Sequence, residues 1–512
     1  MKGGANLTSL DSRITIANDS EMNFDGKYVL YWMVSTRRFH YNAALQHAAE
    51  MAKQYQVPLV VLEAISISHP YANDRIISFM VEGMVENIDI FKENNIRFIP
   101  WVQTPLQGPG GLLRSLSKNA VMVVTDDFPT YKSKWVVEDA KSAIKIPLHI
   151  VDSNGTIPLD WPTKAYPTAH AFRRFIHDKF VESMETWPNK SSVEQGHDLW
   201  MNDEQYAELV QESGIMKTPL EWLWRVCEKG SVGIDALSVL DIDHSVPPVS
   251  DKSGGTKQAK NRMDAFLKSR INRYHTDRNE VSNPATSGLS PWFHFGHIST
   301  IELIQELLET NDWSPHYIDP SRRGSRSGWW GLSEPVESFL DQIITWRELG
   351  FNFAHNEENH TSIESIPDWA KLTLSLHQED RSEDYTLEEL ENAQTEDEIW
   401  NAAQRQLRQE GIIHNYLRMV WGKRVLEWAP DAKTASEWMI YLNDKWALDG
   451  RDPNSYTGIF WVLGRHDRAW GPERPIFGKV RYMSSANTAK KFNLKPYLSR
   501  FAGGYQSNLF SN

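Results

Sequence analysis

Tryptophan side chains are concentrated between residues 400 and 470, where their spacing suggests redox chemistry. Trp421 and Trp428 lie seven residues apart, so on a helix they share a face and are separated by about 10.5 Å of rise. Trp400 can join them from the preceding helix. Indole is among the side chains most easily oxidised, so indoles at this spacing could form a hopping path for electrons toward a large planar ligand. On spacing alone, however, large residues at helical positions are more typical of a core.

Polar residues are interleaved with these tryptophans. Gly450 and Pro453 break the helical pattern and predict a tight polar loop. Asp449 and Asp452 lie inside it, and carboxylates buried among indoles need partners. The natural partner for Asp449 is Arg418. We therefore expect a charged pair beside the planar ligand, where it would tune the redox state of that ligand.

A second candidate site lies at residues 274–296, read as YHTDRNEVSNPATSGLSPWFHFG. Pro284, Gly288 and Pro291 prevent a continuous helix there. The hydroxyls of Thr286 and Ser287 stay available, as do backbone N–H groups. A helix is predicted to follow from about Ile298, so the turn could grip a phosphate through backbone donors. The alternative is a capped loop between two helices.

A basic segment follows the tryptophans. No acidic residue occurs after Glu473, although the whole chain carries a net charge of −13. Local positive charge is what phosphate binding requires, so the segment predicts a nucleic-acid contact. A solvated basic face is the alternative. The cations and interleaved aromatics are Arg474, Lys479, Arg481, Lys490, Lys491 and Lys495, with Phe477, Tyr482 and Phe492.

The elements that carry these residues divide the chain into an α/β part and a helical part. Apolar strands alternate with helices from Lys27 to Val151, which predicts a Rossmann-like parallel sheet covered on both faces. No GxGxxG or GxxxxGK[ST] motif follows a strand, so no phosphate-cradling fingerprint is present there. From Thr256 onward helical periodicity dominates. We predict a flexible leader over 1–24, an α/β domain over 25–180, a linker over 181–255, and an all-α domain over 256–512.

The helical part is predicted from amphipathic periodicity. The segments are Lys257–His275, Ile298–Thr310, Val336–Phe353, Pro367–Gln378, Leu387–Asn392 and Asp397–Trp428.

Composition limits the cellular context. Cys227 is the single cysteine, so neither an intramolecular disulfide nor a cysteine-based metal site is expected, which suits a reducing cytoplasm. The chain has no apolar run long enough to span a bilayer and no signal-peptide core. We expect a cytoplasmic monomer without a metal ion.

Several separated motifs resemble those of class II cyclobutane pyrimidine dimer photolyases, within the photolyase/cryptochrome family. They cover most of the chain, from about Lys27 to Tyr497, and are strongest in its helical half. The motifs are TSxLSPxxHFG at 286–296, WREL at 346–349, HNYLRMVWGKRVLEW at 414–428 and RPxFGKxRYM at 474–483. The resemblance implies an all-α domain that binds FAD and UV-damaged DNA.

It also implies individual roles. The flavin diphosphate and ribityl group would be held by Tyr274, Arg278, Thr286, Ser287, Leu289 and Ser290. The flavin ring would be contacted by Asn443, Asp452 and the pair Arg418–Asp449. Photoreduction would use Trp421 nearest the flavin, with Trp400 and Trp428. The lesion would meet Trp346, Gln342, Met419, Asn415 and Trp461, with Trp470 as a further wall, and the DNA would meet Arg474, Lys479 and Arg481.

Position 342 departs from the family. Gln342 stands where the family usually has Glu, and an amide can donate a hydrogen bond but cannot supply a proton. The resemblance implies light-dependent splitting of cyclobutane dimers by photoexcited reduced FAD, with room for a deazaflavin- or folate-type antenna chromophore. Two alternatives are a cryptochrome-like photoreceptor without repair activity and a helical nucleic-acid-binding protein without flavin.

Overall fold

The structure is a computed structural model that describes residues 10–105, 108, 111–193, 199–382 and 384–503. The chain forms two compact units. Unit 1 comprises residues 1–163, 175–265 and 288–318, and unit 2 comprises residues 164–174, 266–287 and 319–512. The chain passes between them several times, including at Gly288 within the predicted phosphate loop.

Unit 1 contains a six-stranded sheet in the order β1-β6-β5-β2-β3-β4. Only β1 runs antiparallel to its neighbour, β6, while the other pairings are parallel. Buried apolar clusters line both faces of the sheet, which is why its central strands are continuous apolar runs. The strands are β1 (Ile14–Ile16), β2 (Tyr28–Met33), β3 (Leu59–Ile65), β4 (Arg97–Val102), β5 (Ala120–Asp127) and β6 (Leu148–Asp152).

The sheet begins earlier than predicted. Ile14–Ile16 pairs with His149–Val151 inside the segment that we expected to be a flexible leader. This pairing covers the edge of β6 and gives hydrogen-bond partners to backbone N–H and C=O groups that would otherwise bond to water. The leader prediction is therefore wrong for residues 14–16, and residues 1–9 lie outside the described residues.

α-Helices form most of the remaining regular structure in the described residues. Through residue 310 they are α1 (Ala43–Tyr55), α2 (Asp74–Glu93), α3 (Leu112–Ser117), α4 (Tyr131–Ala143), α5 (Ala169–Met184), α6 (Asp203–Ser213), α7 (Leu220–Cys227), α8 (Ser231–Leu237), α9 (Thr256–Ala265), α10 (Tyr274–Asp277), α11 (Ser290–His294) and α12 (Thr300–Thr310). Beyond it they are α13 (Glu334–Leu340), α14 (Arg347–Asn356), α15 (Asp368–Leu376), α16 (Leu387–Glu391), α17 (Glu398–Glu410), α18 (Asn415–Trp428), α19 (Ala432–Trp446), α20 (Pro453–Val462), α21 (Ser485–Lys491) and α22 (Lys495–Arg500). None of the described helices has the length and apolar character needed to cross a membrane.

Two predicted helices of unit 2 depart from a single regular α-helix. The segment Asp397–Trp428 forms two helices, because α17 ends at Gly411, whose φ of 67° lies in the left-handed region that glycine tolerates. The segment Val336–Phe353 is continuous but widens into a π-helical turn at Asp341–Trp346, between α13 and α14. Such turns are rare and often occur at functional sites, and this one carries Gln342 and Trp346.

Candidate functional site

The three tryptophans predicted to relay electrons lie in contact within unit 2. Trp400 stacks on Trp421 with ring centroids 6.2 Å apart and planes within 4°. Its ring also meets Trp428 edge-on at 5.3 Å. All three are buried. The Trp400 Nε1 group donates to the Trp421 carbonyl at 3.0 Å, and Trp421 Nε1 donates to Gln404 at 3.0 Å. The order in space is therefore Trp421, Trp400, Trp428.

A tyrosine that sequence reasoning missed extends this row. Tyr385 packs edge-on against Trp428 at 5.0 Å and is partly exposed. The guanidinium of Arg424 lies 4.4 Å from the centre of the Trp428 ring, a cation–π contact that makes this indole harder to oxidise. Tyr385 is 43 positions before Trp428 in the chain, so no local pattern could have indicated the contact. The row of rings thus reaches a partly solvated residue.

The predicted charged pair forms within unit 2. Arg418 Nη2 lies 3.2 Å from Asp449 Oδ1, and both side chains keep some exposure, at 26% and 12%. Arg418 lies on α18, directly before the partly buried Met419 and three residues before Trp421, while Asn415 at the start of that helix is exposed. Asp452 caps α20 by accepting from the Asn454 backbone N–H at 2.9 Å. Asp452 therefore has a structural role as the N-cap of α20, in addition to any role in binding a ligand.

A buried hydrogen-bond network around Asp444 supports the loop that carries Asp449 and Asp452. Asp444 accepts from the Arg451 backbone N–H at 2.8 Å, from Asn443 Nδ2 at 3.1 Å and from the Tyr456 hydroxyl at 3.0 Å. Arg451 donates to the Asp444 carbonyl and to the Ala447 carbonyl. Burial raises the pKa of Asp444, and the Arg451 charge offsets part of that rise. Sequence reasoning noted Arg451 but missed Asp444.

Two tryptophans predicted to line a pocket for a damaged base stack directly on each other. The ring centroids of Trp346 and Trp461 are 4.7 Å apart, with planes 13° from parallel. Both rings are partly exposed. At this separation nothing can lie between them, so they form a single aromatic face instead of two opposed walls.

The side chain of Gln342 joins this face to a cation. Its carboxamide is assigned from the hydrogen-bond network, with the oxygen accepting from Trp346 Nε1 at 3.2 Å and from Arg278 Nη1 at 2.8 Å. The neighbouring Asp341 is held by a buried, two-pronged ion pair with Arg173, at 2.6 and 3.1 Å. The π turn is therefore fixed on both sides by arginines.

Arg278 lies among the predicted phosphate-holding residues of unit 2. Its guanidinium is 5.9 Å from the ring centre of Tyr274. Burial raises the pKa of the Tyr274 hydroxyl to about 12, although Arg278 opposes the rise. Thr286 and Ser287 are partly buried in unit 2, whereas Leu289 is buried and Ser290 exposed in unit 1.

His414, which sequence reasoning did not select as a site residue, lies close to the backbone of Arg278 and Glu280, and burial lowers its pKa to about 4. It is 7% exposed, and neither ring nitrogen makes a hydrogen bond of ordinary geometry. Buried polar atoms normally find partners, so the ring nitrogens of His414 are available to a polar group of a ligand.

The predicted DNA-contacting cations are exposed in unit 2. The Arg474 guanidinium lies 4.8 Å from the Tyr482 ring centre, and that of Arg481 lies 5.2 Å from the ring centre of Trp470. Lys479 pairs with Glu473 at 3.2 Å. Trp470 donates to Asp467 and lies beside these cations.

Lys423 is a buried cation on α18 that sequence reasoning did not select. It is 1% exposed, and its ammonium donates to the carbonyl of Val462, the residue after Trp461. Burial lowers the pKa of Lys423 to about 7, against a partial rise from Asp467. The recognisable signal was a cation on an apolar helix face, three residues from Val420 and from Leu426.

Lys423 should make stability depend on pH. Its pKa falls from 10.5 in the unfolded chain to about 7 in the folded one, so the unfolded state binds more protons across that interval and stability rises with pH there. The free energy of unfolding of the wild type, relative to that of Lys423→Met, should increase steadily between about pH 7 and pH 9. Urea unfolding at several pH values measures this. Lys433→Met, at an exposed lysine, is the control; equal pH slopes for wild type and Lys423→Met would contradict the assignment.

Comparison with known proteins places the chain among characterised relatives. It is 32% identical over 492 residues to the deoxyribodipyrimidine photo-lyase of Methanothermobacter thermautotrophicus, a match covering 96% of this chain and 98% of that protein. No family model matches the chain.

Solved structures share the fold. A bacterial class III photolyase from Agrobacterium tumefaciens superposes with a TM-score of 0.62 at 16% identity, covering 94% of this chain and 87% of that one. A cryptochrome from Synechocystis sp. PCC6803 superposes with a TM-score of 0.61 at 14% identity, covering 93% and 88%. At such identities the likeness concerns architecture alone.

Proposed function

The chain belongs to the deoxyribodipyrimidine photo-lyase family, and from this we propose that it repairs DNA in light by splitting cyclobutane pyrimidine dimers. The observation that carries the proposal is the contact row Trp421–Trp400–Trp428 in the same unit as the aromatic face of Trp346 and Trp461. One arrangement can bring electrons in, and the other can receive flat bases. We further propose that the enzyme is of the class II type, from the resemblance of its motifs.

The residues present fit FAD. A dinucleotide needs cations for its phosphates and polar partners for its ring edge, and unit 2 offers Arg278, the pair Arg418–Asp449 and the unsatisfied ring of His414. Bound FAD would supply light absorption and the electron for the dimer. Tyr274 and Arg278, with Thr286 and Ser287, would hold its diphosphate and ribityl group. Roles for Leu289 and Ser290 stay predictions from the resemblance.

The ring would be oriented by the charged loop. Arg418 and Asp449 would lie beside it and set its electrostatic environment. Asn443 gives one amide hydrogen to Asp444, which leaves its carbonyl oxygen and a second hydrogen for the ring nitrogen. Asp452 would reach the ring edge while it also caps α20.

The damaged bases would stack on the aromatic face. Enzymes that act on a base in a duplex flip it out and hold it against aromatic side chains. Trp346 and Trp461 supply such a surface, with Met419 and Asn415 on the neighbouring helix α18. Arg474, Lys479 and Arg481 would neutralise phosphates of the same DNA.

Loss of the Trp461 side chain should weaken lesion recognition selectively. We expect Trp461→Ala to cost about 1–3 kcal/mol of binding to dimer-containing DNA, the range for a lost base–aromatic stack, with little change for undamaged DNA. Competition binding with the two duplexes measures the ratio. Trp224→Ala is the matched control, because Trp224 is an exposed tryptophan of unit 1 outside the proposed site, so its loss should leave the ratio of the two affinities unchanged. An unchanged ratio in Trp461→Ala would exclude this face as the lesion site.

The amide at position 342 should limit repair. Gln342→Glu would keep the acceptor for Arg278 and Trp346 and add a group able to carry a proton, so repair per absorbed photon should rise a few-fold. Gln342→Met, similar in size but without an acceptor, should lower repair, since it leaves Arg278 without its partner at 2.8 Å. Single-turnover repair with flavin occupancy matched by absorbance provides the comparison. If both variants repaired like wild type, the position would have no role at the lesion.

Other properties remain proposals. We propose a monomer located in the cytoplasm. A deazaflavin- or folate-type antenna would be sought in unit 1, where β2 and β5 meet at the switch point of the parallel sheet, the usual ligand crevice of such folds.

Two measurements test the proposal. The visible spectrum of the purified protein should show flavin bands, and a duplex with one cyclobutane dimer should bind more tightly than the same duplex without it. A colourless protein would rule out every light-driven function, and equal binding of the two duplexes would argue against repair.

A further inference from the structure

A loop rich in arginine has no part in the site described so far. Residues 320–333, called here the arginine loop, read PSRRGSRSGWWGLS and contain no acidic residue. Arg322, Arg323 and Arg326 are all exposed. In a chain with a net charge of −13, such a local excess of cations is unlike the average surface.

The loop is built to hold its shape. The Asp319 N–H donates to the Trp329 carbonyl at 2.9 Å and closes the base of the loop, beneath which Trp329 and Trp330 are buried edge-to-face at 4.8 Å. The buried Glu337 accepts from the backbone N–H groups of Gly328 and Leu332. The arginines therefore project from a fixed base, which reduces the entropy lost when they bind a ligand.

A further arginine joins the loop from α5. Gly324 has a φ of 84°, and a Cβ added there would come within 2.6 Å of Arg174 Cγ. The Arg174 side chain thus packs against the loop at Gly324. Arg174 is exposed, and so is the neighbouring His170. Two contacts connect this basic surface with the helical segment that carries Gln342 and Trp346. Glu337 accepts hydrogen bonds from the arginine loop, and the buried Arg173, the residue before Arg174, pairs with Asp341.

We propose that the arginine loop and Arg174 form a second phosphate-binding surface for the DNA backbone, in addition to Arg474, Lys479 and Arg481. Guanidinium groups match phosphate oxygens in two-pronged geometry, and the serine hydroxyls of the loop add donors. A backbone contact supplies affinity without reading sequence or damage. The proposal rests on the proposed function, because the ligand is the DNA that carries the dimer.

The test is the salt dependence of DNA binding by the full-length protein. The logarithm of the binding constant falls linearly with the logarithm of the salt concentration. Each lost phosphate contact should make this negative slope shallower by about 0.9. For the double variant Arg322→Gln/Arg326→Gln we therefore expect the negative slope to be shallower by about 2. Damaged and undamaged duplexes should both bind more weakly. Repair turnover at saturating DNA should be unchanged. The variant Arg174→Gln leaves the loop sequence intact and should make the slope shallower by about 0.9.

The control is Arg114→Gln/Arg225→Gln, which removes the same charge from exposed arginines of unit 1. Slopes equal to this control in both test variants would overturn the proposal, and so would a loss confined to damaged DNA. A wild-type protein that neither bound nor repaired DNA would instead refute the proposed function.

Discussion

Replacement of Trp400 by phenylalanine should reduce photoreduction of the proposed flavin by at least an order of magnitude. Trp400 is the middle ring of the row, since it stacks on Trp421 and touches Trp428. A phenyl ring fills most of the space but is far harder to oxidise, so an electron from Trp428 could no longer hop inward. Absorbance under continuous light with an external reductant follows the reaction.

The same variant should separate two electron paths. When its flavin is reduced chemically, Trp400→Phe should still repair dimers, because that step passes from the flavin to the DNA and does not use the row. Trp446→Phe is a matched control, since Trp446 is also buried and also donates one indole hydrogen bond, to Glu391 at 2.9 Å. Photoreduction by Trp400→Phe at the rate of this control would show that electrons enter elsewhere.

Replacement of Asp444 by alanine should cost about 3–5 kcal/mol of folding free energy, because a buried donor left without its acceptor costs about 1–3 kcal/mol and three donors would be affected. Three donors would lose their acceptor, among them the Arg451 backbone and the Tyr456 hydroxyl. Arg451 is 3% exposed and has a φ of 61°, a strained conformation for a residue other than glycine. Its guanidinium donates to the backbone carbonyls of Asp444 and Ala447, and the substitution would remove the carboxylate charge with which it interacts.

The consequence should extend to the flavin. The loop after α19 holds Asp449 and Asp452, so its loosening should also lower flavin retention during purification. Denaturant unfolding and the ratio of flavin to protein absorbance report the two effects. Asp431→Ala, at the N-cap of the same helix, should cost only about 1 kcal/mol and leave the flavin bound. Similar losses in both variants would mean that Asp444 is an ordinary helix residue.

Local patterns in the sequence predict much of this architecture. Continuous apolar strands separated by helices indicate the parallel sheet, and the spacing of Trp421 and Trp428 places both on one helix face. Charge neutralisation between buried groups likewise predicts the contact of Arg418 with Asp449, which the structure has at 3.2 Å. These inferences succeed because each depends on periodicity or on pairing of unlike charges.

Contacts between distant segments could not be predicted in this way. Tyr385 meets Trp428, Gln342 meets Arg278, and Glu337 supports the arginine loop only because the helices pack as they do. The π turn at Asp341–Trp346 has no signature in its apolar spacing. The break at Gly411 was visible as a glycine, but helical periodicity on both sides concealed it.

The most direct measurement is repair of a duplex containing one cyclobutane pyrimidine dimer, by protein whose flavin has been reduced, in light and in darkness. The account predicts that dimers disappear under near-ultraviolet or blue light and persist in the dark. Dimers that persist in light, or that disappear equally in the dark, would contradict it.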